Sequence, residues 1–342
     1  MVDVPDRGQL CRGAAGAADQ LQLTRMRDAN IQERSKAVVQ SVKWHPNAQL
    51  LLTAGLDKRL RLYNIDGVRN TSIQSVFLQD MPIMNTCFAC GGNTVVAAGR
   101  RKYFYVWDVN SESLERIQGV QGFDTNSLES FAAPPAQLSG DSKACVAFLG
   151  NEGAVGIVSL LSRQLVGSLK MNRQVRCATF DPAGVELYTA GTDGRVCVWD
   201  MRRQQRCLHS FVDEGCIRST GLAVSTGQVA SASASGVVNV HKRWREDAAA
   251  EPTGRPLRAL ENLVTSVNTL QFSPDATMLC IASSMQKDAL RMVHIPTLSV
   301  YSNWPTSRTP LGHVHCAEFS PDGSMLVIGN AKGHVLTYKL HQ

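Results

Sequence analysis

Nowhere in the 342-residue sequence do eighteen apolar residues run together, and no charged segment followed by an unbroken apolar stretch opens the chain. Neither a membrane-spanning helix nor a secretory signal is expected, so the protein reads as intracellular. No glycine loop precedes a helix, and there is no Gly-x-Ser-x-Gly, His-Glu-x-x-His or Walker-type sequence. Catalysis thus has no visible machinery, and no cofactor, metal or small-molecule substrate is expected. A convincing helical period is missing throughout, which leaves strands as the building material. Charge of neither sign dominates: the net +6 is mildly basic, which permits an acidic partner without requiring one. The ten cysteines form no framework of spacings expected of a secreted domain, and they read as small buried hydrophobes kept reduced. A chain of this length buries enough surface to stand without disulfides or metals.

What the sequence does contain is a repeat. Its clearest copy runs from Val175 through Phe180-Asp181-Pro182, then Leu187 to Ala190, Gly191-Thr192-Asp193-Gly194, and Val196 to Trp199-Asp200. The turn residues suit their geometry, because Gly tolerates positive φ, Pro presets φ and Asp bonds the backbone two residues on. Equivalent first-strand ends fall at Trp44, Phe88, Phe131, Val224, Phe272 and Phe319, making seven copies spaced 43–49 residues apart. That spacing fits a WD-type blade of about 40–45 residues with loop insertions. The fold class is therefore all-β, a seven-bladed WD40 β-propeller in which radial packing leaves only short, protected strand edges.

The seventh copy accounts for three strands, His313 to Phe319, Met325 to Gly329 and Val335 to Leu340, before the sequence stops at Gln342. The only unassigned segment with alternating apolar residues is Leu21 to Met26. An N-terminal strand there is expected to pair with the last blade and close the ring, giving a propeller over residues 21–342. Residues 1–20, with the Gly13-Ala14-Ala15-Gly16-Ala17-Ala18 run, are expected to be disordered. Longer loops are expected over Gly119 to Asn126 and Lys242 to Pro256.

Several constellations have a plainer reading beside the chemical one. Cys87-Phe88-Ala89-Cys90 has CxxC spacing but no second pair at zinc-finger distance, so core cysteine is preferred. His313-Val314-His315 lacks a third ligand, and Gly312-His313 suits the structural Gly-His at the start of a blade. Asp57 and Asp193 read as turn-fixing carboxylates, because neither has a paired acid for catalysis. Val76-Phe77-Leu78-Gln79-Asp80 resembles a docking peptide but falls where an outer strand belongs.

Charge placement is more informative. In a propeller the loops between third and fourth strands emerge on one face. In blades three, four and five these loops carry Arg163, then Arg202, Arg203 and Arg206, then Lys242, Arg243 and Arg245, an arc of cations with Trp244 as a possible stacking platform. Such an arc could follow a phosphate backbone; the alternatives are a solvated rim or a dock for an acidic protein segment. A second cluster, Arg100, Arg101 and Lys102, belongs to the opposite face.

Beyond the generic repeat stand Arg27-Asp28-Ala29-Asn30, Leu51 to Lys58 with Leu60 to Gly67, and Gly99-Arg100-Arg101-Lys102-Tyr103-Phe104-Tyr105. Ile217-Arg218-Ser219-Thr220, Ser235 to Val240, Leu263 to Val267 and Ser299 to Pro305 continue the series in order. Together they resemble the U3 small nucleolar RNA-associated protein 18 family over residues 21–342. The resemblance implies a nucleolar, non-enzymatic scaffold of the small-subunit processome. Its implied partners are the other WD-repeat subunits of the UTP-B subcomplex, the U3 snoRNP and the 5′ external transcribed spacer of pre-rRNA. Some family members carry an N-terminal motif that recruits an exosome-associated helicase. No Leu-Phe-x-x-Asp precedes the first blade here, a departure from that family pattern. A different WD scaffold, such as the substrate receptor of a ubiquitin ligase, is the competing expectation.

Overall fold

The structure is a computed structural model that describes residues 20–123, 125–138, 144–202, 206–244, 254–306 and 309–341. The expectations for residues 1–19, Arg203 and Arg245 lie outside the described residues. The described chain begins with β1 (Gln22–Arg25) and then lays down the blades in order. Blade 1 is β2 (Val39–Trp44), β3 (Leu50–Gly55), β4 (Arg59–Asn64) and β5 (Thr71–Phe77). Blade 2 is β6 (Asn85–Ala89), β7 (Thr94–Ala98), β8 (Tyr103–Asp108) and β9 (Leu114–Gln118). Blade 3 is β10 (Phe131–Ala132), β11 (Cys145–Leu149), β12 (Ala154–Ser159) and β13 (Leu165–Lys170). Blade 4 is β14 (Val175–Phe180), β15 (Glu186–Gly191), β16 (Arg195–Asp200) and β17 (Arg206–Val212). Blade 5 is β18 (Ser219–Val224), β19 (Gln228–Ser233), β20 (Val238–Lys242) and β21 (Arg258–Leu260). Blade 6 is β22 (Thr269–Phe272), β23 (Met278–Ala282), β24 (Leu290–His294) and β25 (Ser299–Val300). Blade 7 is β26 (Val314–Phe319), β27 (Met325–Asn330) and β28 (Val335–His341). Among the described residues there is no α-helix.

These strands form seven four-stranded antiparallel sheets, and the seventh is completed by β1 in the order β1-β28-β27-β26. Ring closure is therefore as the sequence suggests. Gln22 faces His341, Leu23 faces Leu340, Thr24 faces Lys339 and Arg25 faces Tyr338. Leu21 packs with Trp304, Tyr301 and Leu340 in the core between blades 6 and 7. The Asn303 side chain brackets the Leu21 backbone, accepting from its N–H at 3.1 Å and donating to its carbonyl at 2.7 Å.

Burial explains the composition of each strand. Second and third strands are covered on both faces by neighbouring blades, so β7 and β23 are nearly continuous apolar runs. Outer strands alternate instead, as β5 does with Ile73 and Phe77 in solvent. The cores lie between blades: Leu52, Leu60 and Leu62 of blade 1 meet Phe88, Val95 and Trp107 of blade 2.

One strand departs from its expectation. Phe131 starts the first strand of blade 3 instead of ending it, and β10 has only two residues. Pro134 and Pro135 follow after Ala133, and proline has no N–H to extend the ladder toward β11.

Candidate functional site

The face carrying the turns between first and second strands, and between third and fourth strands, holds the cation arc. Its members come from adjacent blades, as their positions imply, but the neighbouring blades answer several of them. Arg163, at positive φ in the β12–β13 turn, forms an ion pair with Glu115 of β9. Arg202 stays near Asp200 at 3.5 Å while its side chain remains largely in solvent. Arg206 and Lys242 are exposed at the ends of β17 and β20.

Arg243 does the reverse of what an RNA-facing cation would do. It turns toward blade 4, where its Nη2 donates to Asp181 Oδ2 and Glu186 Oε2, both at 2.9 Å. Its Nε donates to the Tyr188 hydroxyl at 3.3 Å. Burial opposes a charged guanidinium here, but Tyr188 and Glu186 outweigh that and raise its pKa. Asp181 is itself built into the blade-4 turn, accepting backbone N–H groups of Val185 and Glu186. Arg243 is therefore an inter-blade strut. Trp244, half-buried, lies parallel to the His209 ring at 5.7 Å between centroids. The structure thus leaves Arg163, Arg202, Arg206 and Lys242 as the solvent-facing described members of the arc, the first two each beside a carboxylate. On the opposite face, Arg100, Arg101 and Lys102 form the β7–β8 turn, with Arg100 paired to Glu129 at 2.8 Å.

The central channel is a cavity of about 600 Å³. Its wall includes Gln40, Lys43, Asn85, Thr179, Gln271 and Glu318 from the first strands of blades 1, 2, 4, 6 and 7. Glu318 lies 3.4 Å from Lys43. Burial pushes its carboxyl up to about 7, against the pull of Lys43. His315, also on the wall, is held below the ordinary histidine range by burial and by His313. The Glu318 carboxylate thus faces a lysine within the channel wall.

A buried polar cluster between blades 4 and 5 escaped the sequence reading. Asp213 accepts from Ser231 Oγ at 2.5 Å and Asn239 Nδ2 at 2.7 Å, and its Oδ1 lies 3.0 Å from His241 Nε2. These side chains are buried. Asp213 occupies the middle of the set, so Ser231 bonds to the acid and not to the imidazole. A nucleophile would need the histidine in that place. The cluster ties a loop to two strands.

Cys87 follows the core reading, its thiol pushed up to about 12 by burial. Among the described residues no three of His, Cys, Asp and Glu gather where they could hold a metal ion. His313 Nδ1 sits 3.0 Å from the Ser284 carbonyl, linking blade 7 to the blade-6 turn. Asp57 and Asp193 accept the backbone N–H of Arg59 and Arg195, as turn-fixing carboxylates do.

Comparison with known proteins gives a consistent picture. The WD domain, G-beta repeat, matches residues 29–64, 163–200 and 304–338. The chain is 41% identical to the U3 small nucleolar RNA-associated protein 18 homolog of Arabidopsis thaliana, over 96% of this chain and 59% of that protein. It is 35% identical to the Homo sapiens homolog, over 94% of this chain and 57% of that protein. Identity to U3 small nucleolar RNA-associated protein 18 of Saccharomyces cerevisiae is 33%, over 94% and 61%. The chain thus spans about three-fifths of the length of these relatives.

Proposed function

Because the chain belongs to the U3 small nucleolar RNA-associated protein 18 family, we propose that it is a non-enzymatic scaffold subunit of the small-subunit processome, acting in nucleolar pre-rRNA processing and 18S rRNA maturation. The observation that carries this reading is the 335-residue match, which covers 96% of this chain. A propeller suits the task. Its blades are locked by inter-blade cores, so the loops of both faces are held at fixed angles and several partners can bind at once.

On this reading the partners are sister WD-repeat subunits of the UTP-B subcomplex, the U3 snoRNP and the 5′ external transcribed spacer, and the protein resides in the nucleolus. Arg163, Arg202, Arg206 and Lys242 are the part of the arc that faces solvent and is available for partner contact. Affinity purification of the tagged chain from cells tests the proposal. Recovery of U3 RNA with processome subunits is expected. Recovery of ubiquitin-ligase adaptors without U3 would overturn it.

A further inference from the structure

A further group of cations without a carboxylate partner among the described residues lies on the face opposite the arc, where the closing seam brings three segments together. The crossing that leads from β1 into blade 1 carries Arg34 and Lys36, both exposed. The β27–β28 turn, with exposed Lys332, is pressed against that crossing. A Cβ on Gly333 would fall 2.1 Å from the Ser35 carbonyl oxygen, and Asn30 Nδ2 donates to the Gly333 carbonyl at 2.7 Å. The β3–β4 turn, with Lys58, joins from the other side: Ser35 Oγ donates to Asp57 Oδ2 at 2.8 Å, and Leu56 N–H to the Val38 carbonyl at 3.1 Å. The next blade adds exposed Arg101 from the β7–β8 turn.

The acids on these segments are already matched to other cations. Glu33 and Asp57 are both held by Arg61, at 2.9 and 2.6 Å, and that guanidinium is 5% exposed. Arg59 stands 3.9 Å from Glu33 as well. Asp28 lies between His334 and Arg25, Asp80 pairs with Arg116, and Glu129 with Arg100. At the blade-6 end, Asp288 accepts the Leu311 and Gly312 N–H groups, beside Lys287. No carboxylate among the described residues pairs with Arg34, Lys36, Lys58, Arg101 or Lys332. On the arc, by contrast, Glu115, Asp200, Asp181 and Glu186 answer Arg163, Arg202 and Arg243.

We infer that this seam face, across blades 7, 1 and 2, is a sequence-independent binding surface for the phosphodiester backbone of RNA. The inference deepens the proposed function and rests on it for the source of the RNA. The chemistry favours a polyanion over an acidic protein segment. The cations are point charges spread over successive turns, and the exposed apolar side chains on these segments, Ile31 and Leu56, are each more than half covered. An acidic peptide would need a desolvated anchor to hold it. A phosphate chain needs only charges along its path, and its binding falls steeply with salt.

The test uses the full chain and a labelled single-stranded RNA of mixed sequence, titrated across a range of salt. In the variant, Arg34, Lys36, Arg101 and Lys332 are each replaced by Glu; a control carries Arg69→Glu, Arg258→Glu and Lys339→Glu, exposed cations outside both the seam and the arc. The seam variant should lose at least roughly tenfold in affinity, with a salt slope shallower by about 3, while its melting temperature stays within a few degrees of the parent's. The control should change less than about twofold on the same scale. Unchanged RNA binding by the seam variant, equal loss in the control, failure of the parent chain to bind RNA, or equal binding of polyglutamate would each overturn the inference. U3 recovered from cells by the seam variant at the parent's level, with RNA affinity unchanged, would remove this surface and leave the scaffold reading standing. Loss of U3 from the parent purification would remove that reading itself.

Discussion

Arg243 of blade 5 places Nη2 2.9 Å from Asp181 Oδ2 of blade 4, joining two turns 62 residues apart in sequence. The same nitrogen holds Glu186, so one guanidinium answers two carboxylates in a largely covered site. Arg243→Ala would leave both acids near each other without a counter-charge, and a loss of about 3 kcal/mol in unfolding free energy is expected. Arg243→Lys should lose less, keeping the charge but not the fork. Urea denaturation measures both. RNA affinity of the folded Arg243→Ala protein should match the parent's, because this side chain faces another blade.

Glu318 gives a pH prediction with a definite sign. Its carboxyl titrates near 7 when folded, above the ordinary 4.5, because burial penalises the charged form. Between pH 4.5 and 7 the folded state therefore holds more proton at this site than the unfolded state, and stability contributed by the site falls as pH rises through that window. Glu318→Gln should remove this dependence. Relative to the parent, the variant should gain stability on going from pH 4.5 to pH 8, by an amount on the order of 1–3 kcal/mol. Melting curves of both proteins across the range decide it. A constant difference between them would contradict the assignment.

Ring closure by β1 predicts a large effect from a small deletion. Removing residues 1–27 takes Leu21 and Leu23 off the core between blades 6 and 7 and bares the edge of β28. A fall of about 5–10 °C in melting temperature is expected from the lost burial and pairing. Asn303→Ala, which removes only the bracket on Leu21, should produce a smaller fall in the same direction. An unchanged melt for the deletion would rule out the closure.

The parts of this fold that were legible in the sequence are those encoded locally. Each blade repeats its own turn chemistry, as in Asp181-Pro182 and Gly191-Thr192-Asp193-Gly194, and the closing segment shows its strand alternation in Leu21 and Leu23. The charged surface was not legible in the same way. Position along the repeat correctly assigns Arg163, Arg202 and Arg243 to one face. Whether each charge remains available depends on Glu115, Asp200, Asp181 and Glu186, three of which belong to a different blade from the cation they answer. Arg34, Lys36 and Lys332 were overlooked for the complementary reason. Their separation in sequence conceals that Gly333 rests on Ser35, and Arg61 gave no local sign of pairing with Glu33 and Asp57. Likewise the Asp213 cluster draws Ser231, Asn239 and His241 from two strands onto one loop carboxylate.

The pairing of β1 with β28 also sets a timetable. Thr24 meets His341 across 317 residues, so during synthesis the strand that opens the closing blade waits for its partner β28. At ordinary ribosomal speeds that wait is roughly 15–60 s. Through that interval β1 has no ladder to join and β28 does not yet exist, so the last blade cannot form while earlier ones can. The brevity of β1, and the polar Gln22, Thr24 and Arg25 along it, suit a segment that must wait without recruiting a neighbour's sheet edge.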